Sequence, residues 1–239
     1  MKLPTLSVAL PCYNESKSIH DILERFSQVI GNRPVELVLV NNGSVDNTAE
    51  ALQKELRNPK YKFARTVLVK KNQGYGYGIM FGLKHCKGEI IAYSHADQQC
   101  DPLDVIRAYD ELLKYDVENV LIKGHRKRRI LSEFVITKGL QIITALIFWK
   151  VYDDINGQPK VFHKSFLSKL TNAPNDFKFD FYVQYMALKN KMEVKCIPVD
   201  FGQRKHGKSN WAYSIFSKTK TYLGFIVYMI KLRFGELVG

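Results

Sequence analysis

Acidic residues are scarce in this chain: 23 Asp and Glu stand against 36 Lys and Arg, a formal net charge of +13 over 239 residues. Such an excess suits an anionic partner, and nucleic acid, an anionic membrane surface or a small phosphorylated substrate would each satisfy it. Cysteine is sparse too. Cys12, Cys86, Cys100 and Cys196 are widely spread and form no C-x-x-C pair, which argues against a zinc site or a disulfide framework and makes a reducing cytosol the expected compartment. Pro4 and Pro11 interrupt the apolar residues of the N-terminus, so no secretion signal is expected. Long apolar runs are also missing. Residues 211–232 are rich in aromatic and aliphatic side chains, but Lys218 and Lys220 interrupt them, leaving runs far short of the roughly 18 to 20 residues that span a bilayer. There is no internal repeat, low-complexity tract or linker. What is present, 46% hydrophobic and 25% charged residues, fits a chain that buries a core and excludes collagen-like and disordered classes. The length suits one domain, or one domain with an appendage.

Short, β-branched, apolar segments at residues 6–12, 35–41, 66–70, 89–94 and 119–123 read as strands buried on both faces of a parallel sheet. Helical patterns lie between them. In residues 16–30, Ile19, Ile22, Leu23, Phe26 and Ile30 share one stripe at helical spacing. Asp46 is placed to cap a helix over 47–57, and Asp101 followed by Pro102 supplies an N-cap and a first-turn proline for 103–115. This alternation predicts an α/β fold built from βαβ units, whose ligand site lies at the carboxyl ends of the strands. Three polar clusters follow strands and converge there: Tyr13-Asn14-Glu15, Asn41-Asn42-Gly43-Ser44 and Ser94-His95-Ala96-Asp97. The second half holds a basic stretch at 123–129, an apolar helix near 131–149, a helix near 177–190, a strand at 193–201 and the polar segment 203–211.

Taken in order, ALPCYNE at 9–15, VNNGSVDNT at 40–48, KNQGYGYGI at 71–79 and HADQQCDP at 95–102 resemble family-2 glycosyltransferases of the GT-A fold. Gly124-His125-Arg126 and the R-x-x-G-x-S pattern from Arg204 to Ser209 are similar to the branch containing dolichyl-phosphate mannose synthase and bacterial polyprenyl-phosphate sugar transferases. The resemblance implies a Rossmann-like, mostly parallel sheet flanked by helices, with C-terminal amphipathic helices. It implies a nucleotide-sugar-binding half over 1–123, an acceptor half over 124–210 and an amphipathic helix over 211–239. Pro11, Tyr13 and Glu15 would line the base and ribose pocket, with Asn42 and Asp46 beside them. Asn41 and Asn42 stand where the family usually carries paired aspartates, and an amide offers donors as well as acceptors but no charge. Asp46 is as well explained by its helix cap as by ligand contact. Asn72 and Gly74 begin a glycine-rich segment that permits close approach of a phosphate or sugar. Lacking the Lys-Ser/Thr ending, it is no P-loop.

The family's acidic metal motif appears here as His95-Ala96-Asp97-Gln98-Gln99. Mg²⁺ or Mn²⁺ prefers oxygen donors, and a nucleotide diphosphate brings several itself. Asp97 is the favoured protein ligand, Gln99 can add a carbonyl oxygen, and His95 either ligates, hydrogen-bonds to the donor or packs. Ala96 would lie against the donor. Asp154 matches the aspartate of the family's loop near sugar and acceptor, where Gln158-Pro159 replaces the usual Gly-Phe. Asp180 retains the acidic position at a helix start.

The reaction so implied is attack of an acceptor oxygen on C1 of a nucleoside-diphosphate sugar, with inversion and an oxocarbenium-like transition state. Asp97 would hold the metal that neutralises the leaving diphosphate, and Arg204 with Lys208 would close over it. A lipid-phosphate acceptor needs cations rather than a base, and Arg126 is the candidate. A saccharide hydroxyl would instead need a base, Asp154 or Asp180. Aromatic residues beside Lys and Arg in 131–149 and 211–232 suit a helix lying on an anionic membrane, or equally a core or a dimer face. The expected enzyme works at the cytoplasmic membrane surface, reaching its lipid directly or through a membrane-protein partner. Nucleic-acid binding is not expected, because no zinc finger, basic zipper or RNP-type aromatic motif is present.

Overall fold

The computed structural model describes residues 5–127, 131–202 and 215–238. Among these, 5–127 and 156–202 form one compact unit, and 131–155 with 215–238 form another. The first unit is built on a seven-stranded sheet. Strands β1 (Leu6–Cys12), β2 (Val35–Asn42), β3 (Ala64–Val69), β4 (Ile90–Tyr93), β5 (Val120–Arg126), β6 (Lys160–His163) and β7 (Glu193–Val199) lie in the order β3-β2-β1-β4-β6-β5-β7. Every neighbouring pair is parallel except the two made by β6, which runs against β4 and β5. The carboxyl ends of the other six strands therefore share one edge, and β6 begins there.

The helices of this unit are α1 (Ile19–Ile30), α2 (Thr48–Glu55), α3 (Tyr75–His85), α4 (Pro102–Leu112) and, after α5 (Leu131–Phe148) of the second unit, α6 (Phe179–Lys189). Helix α1 buries Ile19, Ile22, Leu23, Phe26 and Ile30, the stripe that its spacing predicts. Helix α4 starts at Asp101, whose Oδ1 accepts the Leu103 N–H at 2.9 Å, with Pro102 in the first turn. All of β2 is buried, as a central strand covered on both faces requires. β3 departs from that expectation: it is the sheet edge, only Val69 of its six residues is buried, and Leu68 is exposed. The sheet therefore reverses to an antiparallel course only at β6, a strand that residues 151–163 do not announce because its four residues open on a lysine.

At the amino edge, Glu36 joins three elements. Its carboxylate accepts from Ser7 Oγ at 2.5 Å, Arg65 Nε at 2.8 Å and the Lys87 N–H at 2.9 Å. Burial works to raise the Glu36 carboxyl, but these donors outweigh it and hold the group below its ordinary value. Cys12, Cys86 and Cys100 are buried and free, and Cys196 is exposed. Burial pushes the Cys86 and Cys100 thiols up to about 12, so neither is a nucleophile at neutral pH.

The second unit pairs α5 with α7 (Ile215–Val238). Gln141 Nε2 donates to Asp153 Oδ1, and Phe148 meets Tyr152 edge-on. Helix α7 lies within the expected 211–239. Ile142, Leu146 and Trp149 on α5 and its end, and Leu223, Val227, Ile230 and Phe234 on α7, are exposed. Their three- and four-residue spacing makes each set a stripe on one helix face. Among the described residues no helix is long and apolar enough to cross a membrane.

Candidate active site at the carboxyl edge of the sheet

The loops leaving β1 and β2 are stitched to each other. The Asn14 N–H donates to Ser44 Oγ at 3.1 Å while Asn14 Oδ1 accepts the Val45 N–H at 2.9 Å. The Glu15 N–H donates to Thr48 Oγ1 at 2.9 Å, and its buried carboxylate accepts the Ser18 hydroxyl at 2.9 Å. Asp46 accepts N–H groups from Thr48 at 3.0 Å and Ser16 at 3.3 Å. The N-cap of α2 is Asn47 rather than the expected Asp46, and Asp46 instead accepts the first helical N–H from one residue further out and binds the first turn of the neighbouring loop as well. Burial opposes ionisation of Asp46, but the bonds from Thr48 and Ser16 prevail and hold its carboxyl low. Pro11 and Tyr13, both half-buried, flank this junction.

Asn41 Oδ1 accepts the Ser44 N–H at 3.1 Å, closing the turn after β2. Asn42 reaches the start of α3, its Nδ2 donating to the Gly74 carbonyl at 3.0 Å, while its buried Oδ1 has no hydrogen-bond partner among the described residues. Asn72 Oδ1 accepts the Gly74 N–H at 2.7 Å. Gly74 has φ of 113°, and a Cβ there would lie 2.3 Å from the Asn175 carbonyl oxygen. The close approach this glycine permits is therefore made by the chain's own backbone at Asn175.

After β4 the chain turns sharply through Ala96, Asp97 and Gln98, the last with φ of 64°. Asp97 Oδ1 accepts the Gln99 N–H at 3.1 Å, and Gln99 Nε2 donates to the Gly202 carbonyl at 3.1 Å. The Gln99 backbone oxygen accepts the Gly202 N–H at 2.8 Å, which leaves Asp97 Oδ2 and the Gln99 side-chain Oε1 without a hydrogen bond among the described residues. Both are hard oxygen donors and fit Mg²⁺ or Mn²⁺. No group of three or more His, Cys, Asp or Glu is arranged to hold a metal among the described residues, so a cation here would draw its remaining ligands from a bound diphosphate. His95 packs: its ring stacks on Tyr75 with centroids 5.7 Å apart and meets Phe201 edge-on at 6.3 Å. Arg126, the last residue of β5, places its guanidinium 5.4 Å from the centroid of the same Phe201 ring.

Beneath this lies a cluster that joins Asp180, Gln158 and Tyr75, which the motifs indicate, to Lys160 and Tyr93, to which they give no role. Asp180, second residue of α6, accepts from Lys160 Nζ at 2.5 Å, Gln158 Nε2 at 2.7 Å, Tyr93 at 3.0 Å and Tyr75 at 3.2 Å. Burial foremost, and then the Asp180 charge, pushes both phenols well above their ordinary value, so they remain donors. Gln158 Oε1 is buried without a hydrogen-bond partner among the described residues. Gly124 is required where Gln158 passes, since a Cβ would lie 2.0 Å from the Gln158 carbonyl oxygen. The signal that could have found Lys160 is a lysine opening an apolar tetrad, Lys-Val-Phe-His, where β-periodicity otherwise predicts core.

The first unit thus brings Pro11, Tyr13, Glu15, Asn42, Asp46, Asn72, Gly74, His95, Ala96, Asp97, Gln99, Arg126 and Gln158 to the carboxyl edge, in the strand ends and the loops beside them. Asp154, buried with φ of 34°, belongs to the second unit. Arg204 and Lys208 lie outside the described residues.

A solved structure of glucosyl-3-phosphoglycerate synthase from Mycobacterium tuberculosis, in complex with Mn²⁺, uridine diphosphate and glucosyl-3-phosphoglycerate, matches with a TM-score of 0.71 at 19% identity, over 97% of this chain and 80% of that one. A mannosyltransferase from Pyrobaculum calidifontis in complex with GDP-Man and Mn²⁺ matches with a TM-score of 0.69 at 18% identity, over 97% and 65%. The fold is GT-A. Among curated proteins, the undecaprenyl-phosphate 4-deoxy-4-formamido-L-arabinose transferase of Edwardsiella ictaluri is 27% identical over 212 residues, 86% of this chain and 62% of the relative. The protein of that name from Pectobacterium atrosepticum is 33% identical over 217 residues, 88% and 64%. The chain spans slightly under two thirds of the length of these relatives. The profile of glycosyl transferase family 2 matches residues 7–173, from β1 to beyond β6, and the chain belongs to that family.

Proposed function

We propose that the chain is an inverting glycosyltransferase that moves a sugar from a nucleoside-diphosphate sugar to a polyprenyl phosphate at the cytoplasmic surface of a membrane. The observation that carries this reading is the meeting of a carboxylate loop and a guanidinium at one sheet edge, where His95 and Phe201 join the Asp97 turn to Arg126. The relatives named for undecaprenyl phosphate support the acceptor class.

In this reading Pro11, Tyr13, Glu15, Asn42 and Asp46 surround the base and ribose. Asn72, Gly74, Ala96 and Gln158 face the diphosphate and sugar, and Arg204 and Lys208 close over the diphosphate. Asp97 and Gln99 hold the divalent cation, which supplies Lewis-acid neutralisation of the leaving diphosphate. Arg126 binds the acceptor phosphate, whose oxygen forms the new bond to C1 as the bond from C1 to the diphosphate oxygen breaks on the opposite face. A phosphate is already anionic and needs no general base. Asp180 supports that acceptor over a saccharide hydroxyl, because four donors already occupy its oxygens and protonating it would remove a carboxylate charge from beside the buried Lys160 ammonium. Asp154 is the remaining base candidate for a hydroxyl acceptor. The exposed stripes on α5 and α7, with Lys150 and Lys231 exposed beside them, support contact with an anionic membrane.

The test is incubation of the chain with labelled UDP- and GDP-sugars, Mn²⁺ and undecaprenyl phosphate. The expected product is an organic-soluble, acid-labile sugar lipid. Transfer to a saccharide with none to the lipid overturns the reading.

A further inference from the structure

Lys160 and Asp180 form an ion pair with side chains 0% and 4% exposed, and burial alone gives no reason for it. Two charges removed from water are often matched or bettered in stability by apolar residues of the same volume. This pair sits at the carboxyl edge: Lys160 opens β6 and stands in register with Tyr93, the last residue of β4. A column of rings rises from it. The Tyr75 hydroxyl donates to Asp180 Oδ2 at 3.2 Å. The Tyr75 ring stacks on Phe177 at 5.1 Å and on His95 at 5.7 Å, in each case 23° from parallel. His95 meets Phe201 edge-on, and Arg126 lies over Phe201.

We propose that this column is a positioning device: the Lys160–Asp180 pair fixes the Tyr75 phenol, and Tyr75, through His95 and Phe201, sets where Arg126 stands relative to the Asp97 turn. Each link is short and directional. An ammonium at 2.5 Å fixes the carboxylate, the carboxylate fixes a hydroxyl, and ring stacking carries that constraint across to a loop and a guanidinium. Lys160, Asp180, Tyr75 and Phe201 are positioning residues that touch no reacting atom. His95, in this assignment, serves the column through its ring rather than as a metal ligand. The device ties the donor side of the site to the acceptor side, so that the two substrates are held at a set separation. It rests on the reading of Arg126 as the acceptor-phosphate anchor.

The experiment compares wild type with Phe201→Leu, Phe201→Tyr and Tyr75→Phe, measuring farnesyl phosphate binding by calorimetry, KM for undecaprenyl phosphate and for the sugar donor, and the unfolding temperature. Phe201→Leu is expected to weaken farnesyl phosphate binding and to raise the acceptor KM roughly tenfold, the loss of one partly desolvated cation–π seat. The donor KM and unfolding temperature stay at wild-type values, and Phe201→Tyr, which keeps the ring, restores acceptor binding. Tyr75→Phe keeps the stack but cuts the bond to Asp180, and raises the acceptor KM by roughly threefold, within the range for one hydrogen bond to a charged group. Wild-type acceptor KM in both Phe201→Leu and Tyr75→Phe overturns the device alone. So do losses that fall equally on donor and acceptor and track a lowered unfolding temperature. A wild-type chain that binds no farnesyl phosphate overturns the Arg126 assignment and the device with it.

Discussion

Asp97 has one carboxylate oxygen turned into its own loop and one left over, the arrangement of a ligand that waits for a substrate to complete the coordination sphere. Asp97→Ala is expected to lower metal-stimulated transfer by at least about a hundredfold, the scale of losing a Lewis acid at a departing diphosphate, with an unchanged circular dichroism spectrum. Near-normal turnover would move the metal elsewhere. Asp180→Asn removes the carboxylate charge at 2.5 Å from a buried ammonium, and is expected to destabilise the chain by about 3 to 5 kcal/mol in urea unfolding, whereas the double variant Lys160→Met, Asp180→Leu regains more than half of that. Equal losses in the single and double variants would show that hydrogen bonding, not charge, dominates the cluster. At the opposite edge, Glu36→Gln is expected to remove about 1 to 2 kcal/mol at pH 7. Because the folded carboxyl titrates below its ordinary 4.5, its contribution is complete above pH 4.5 and is lost as pH falls through the lower, folded value. The gap between wild type and variant should therefore close below that pH, as read by denaturation across pH 3 to 7 on the order of half-unit steps. Asp97 and Gln99 stand out as candidates in a short motif because metal ligation, if it occurs there, demands particular residue types. Lys160, Tyr75 and Tyr93 do not, because a lysine or tyrosine in a local window looks the same whether it meets water or a carboxylate 20, 87 or 105 residues away.

Helix α1 could be read residue by residue, since an amphipathic period is a local property and each of its five apolar positions is buried. Residues 74–78 are the opposite case. Three glycines suggest a loop, and Gly76 and Gly78 instead stand inside α3, where low helix propensity is overridden by packing. Gly82, further along, lets the helix approach until a Cβ would be 2.6 Å from Val40 Cγ2 and 2.9 Å from Ala9 Cβ. β3 was assigned to the interior because alternation cannot distinguish an edge strand from a central one without its neighbours. Between β5 and the turn before β6, a glycine conserves space rather than freedom. Gly124→Ala is expected to lower stability by about 3 kcal/mol or more, since its Cβ would meet a backbone carbonyl that cannot swing aside. A urea midpoint within experimental error of wild type would refute the packing at that point.

The order of four motifs made the family legible across the whole chain, and the fold followed from it, while the pairing of β6 with both β4 and β5 is a long-range fact that spacing does not encode. The expected nucleotide-sugar half and acceptor half share this one sheet, because β6 joins β4 to β5. The surplus positive charge is expected to show at a membrane. The chain should sediment with vesicles containing phosphatidylglycerol and much less with pure phosphatidylcholine. Binding should fall as salt rises toward about 1 M, where the Debye length is near 3 Å. Leu146→Ser with Trp149→Ser should weaken sedimentation, and undiminished binding would remove α5 from the contact. The antiparallel strand has one more consequence, in the order in which the protein can be made. β1 to β4 pair among themselves as soon as residue 93 has emerged, but among the described residues β5 is hydrogen-bonded to neither β4 nor any earlier strand and pairs only with β6 and β7. On the ribosome it would wait through at least 34 further residues, from Arg126 to Lys160, for its first partner. β6 is the keystone of assembly, and nascent chains ending before it would expose an unpaired apolar strand to whatever chaperone stands at the tunnel mouth.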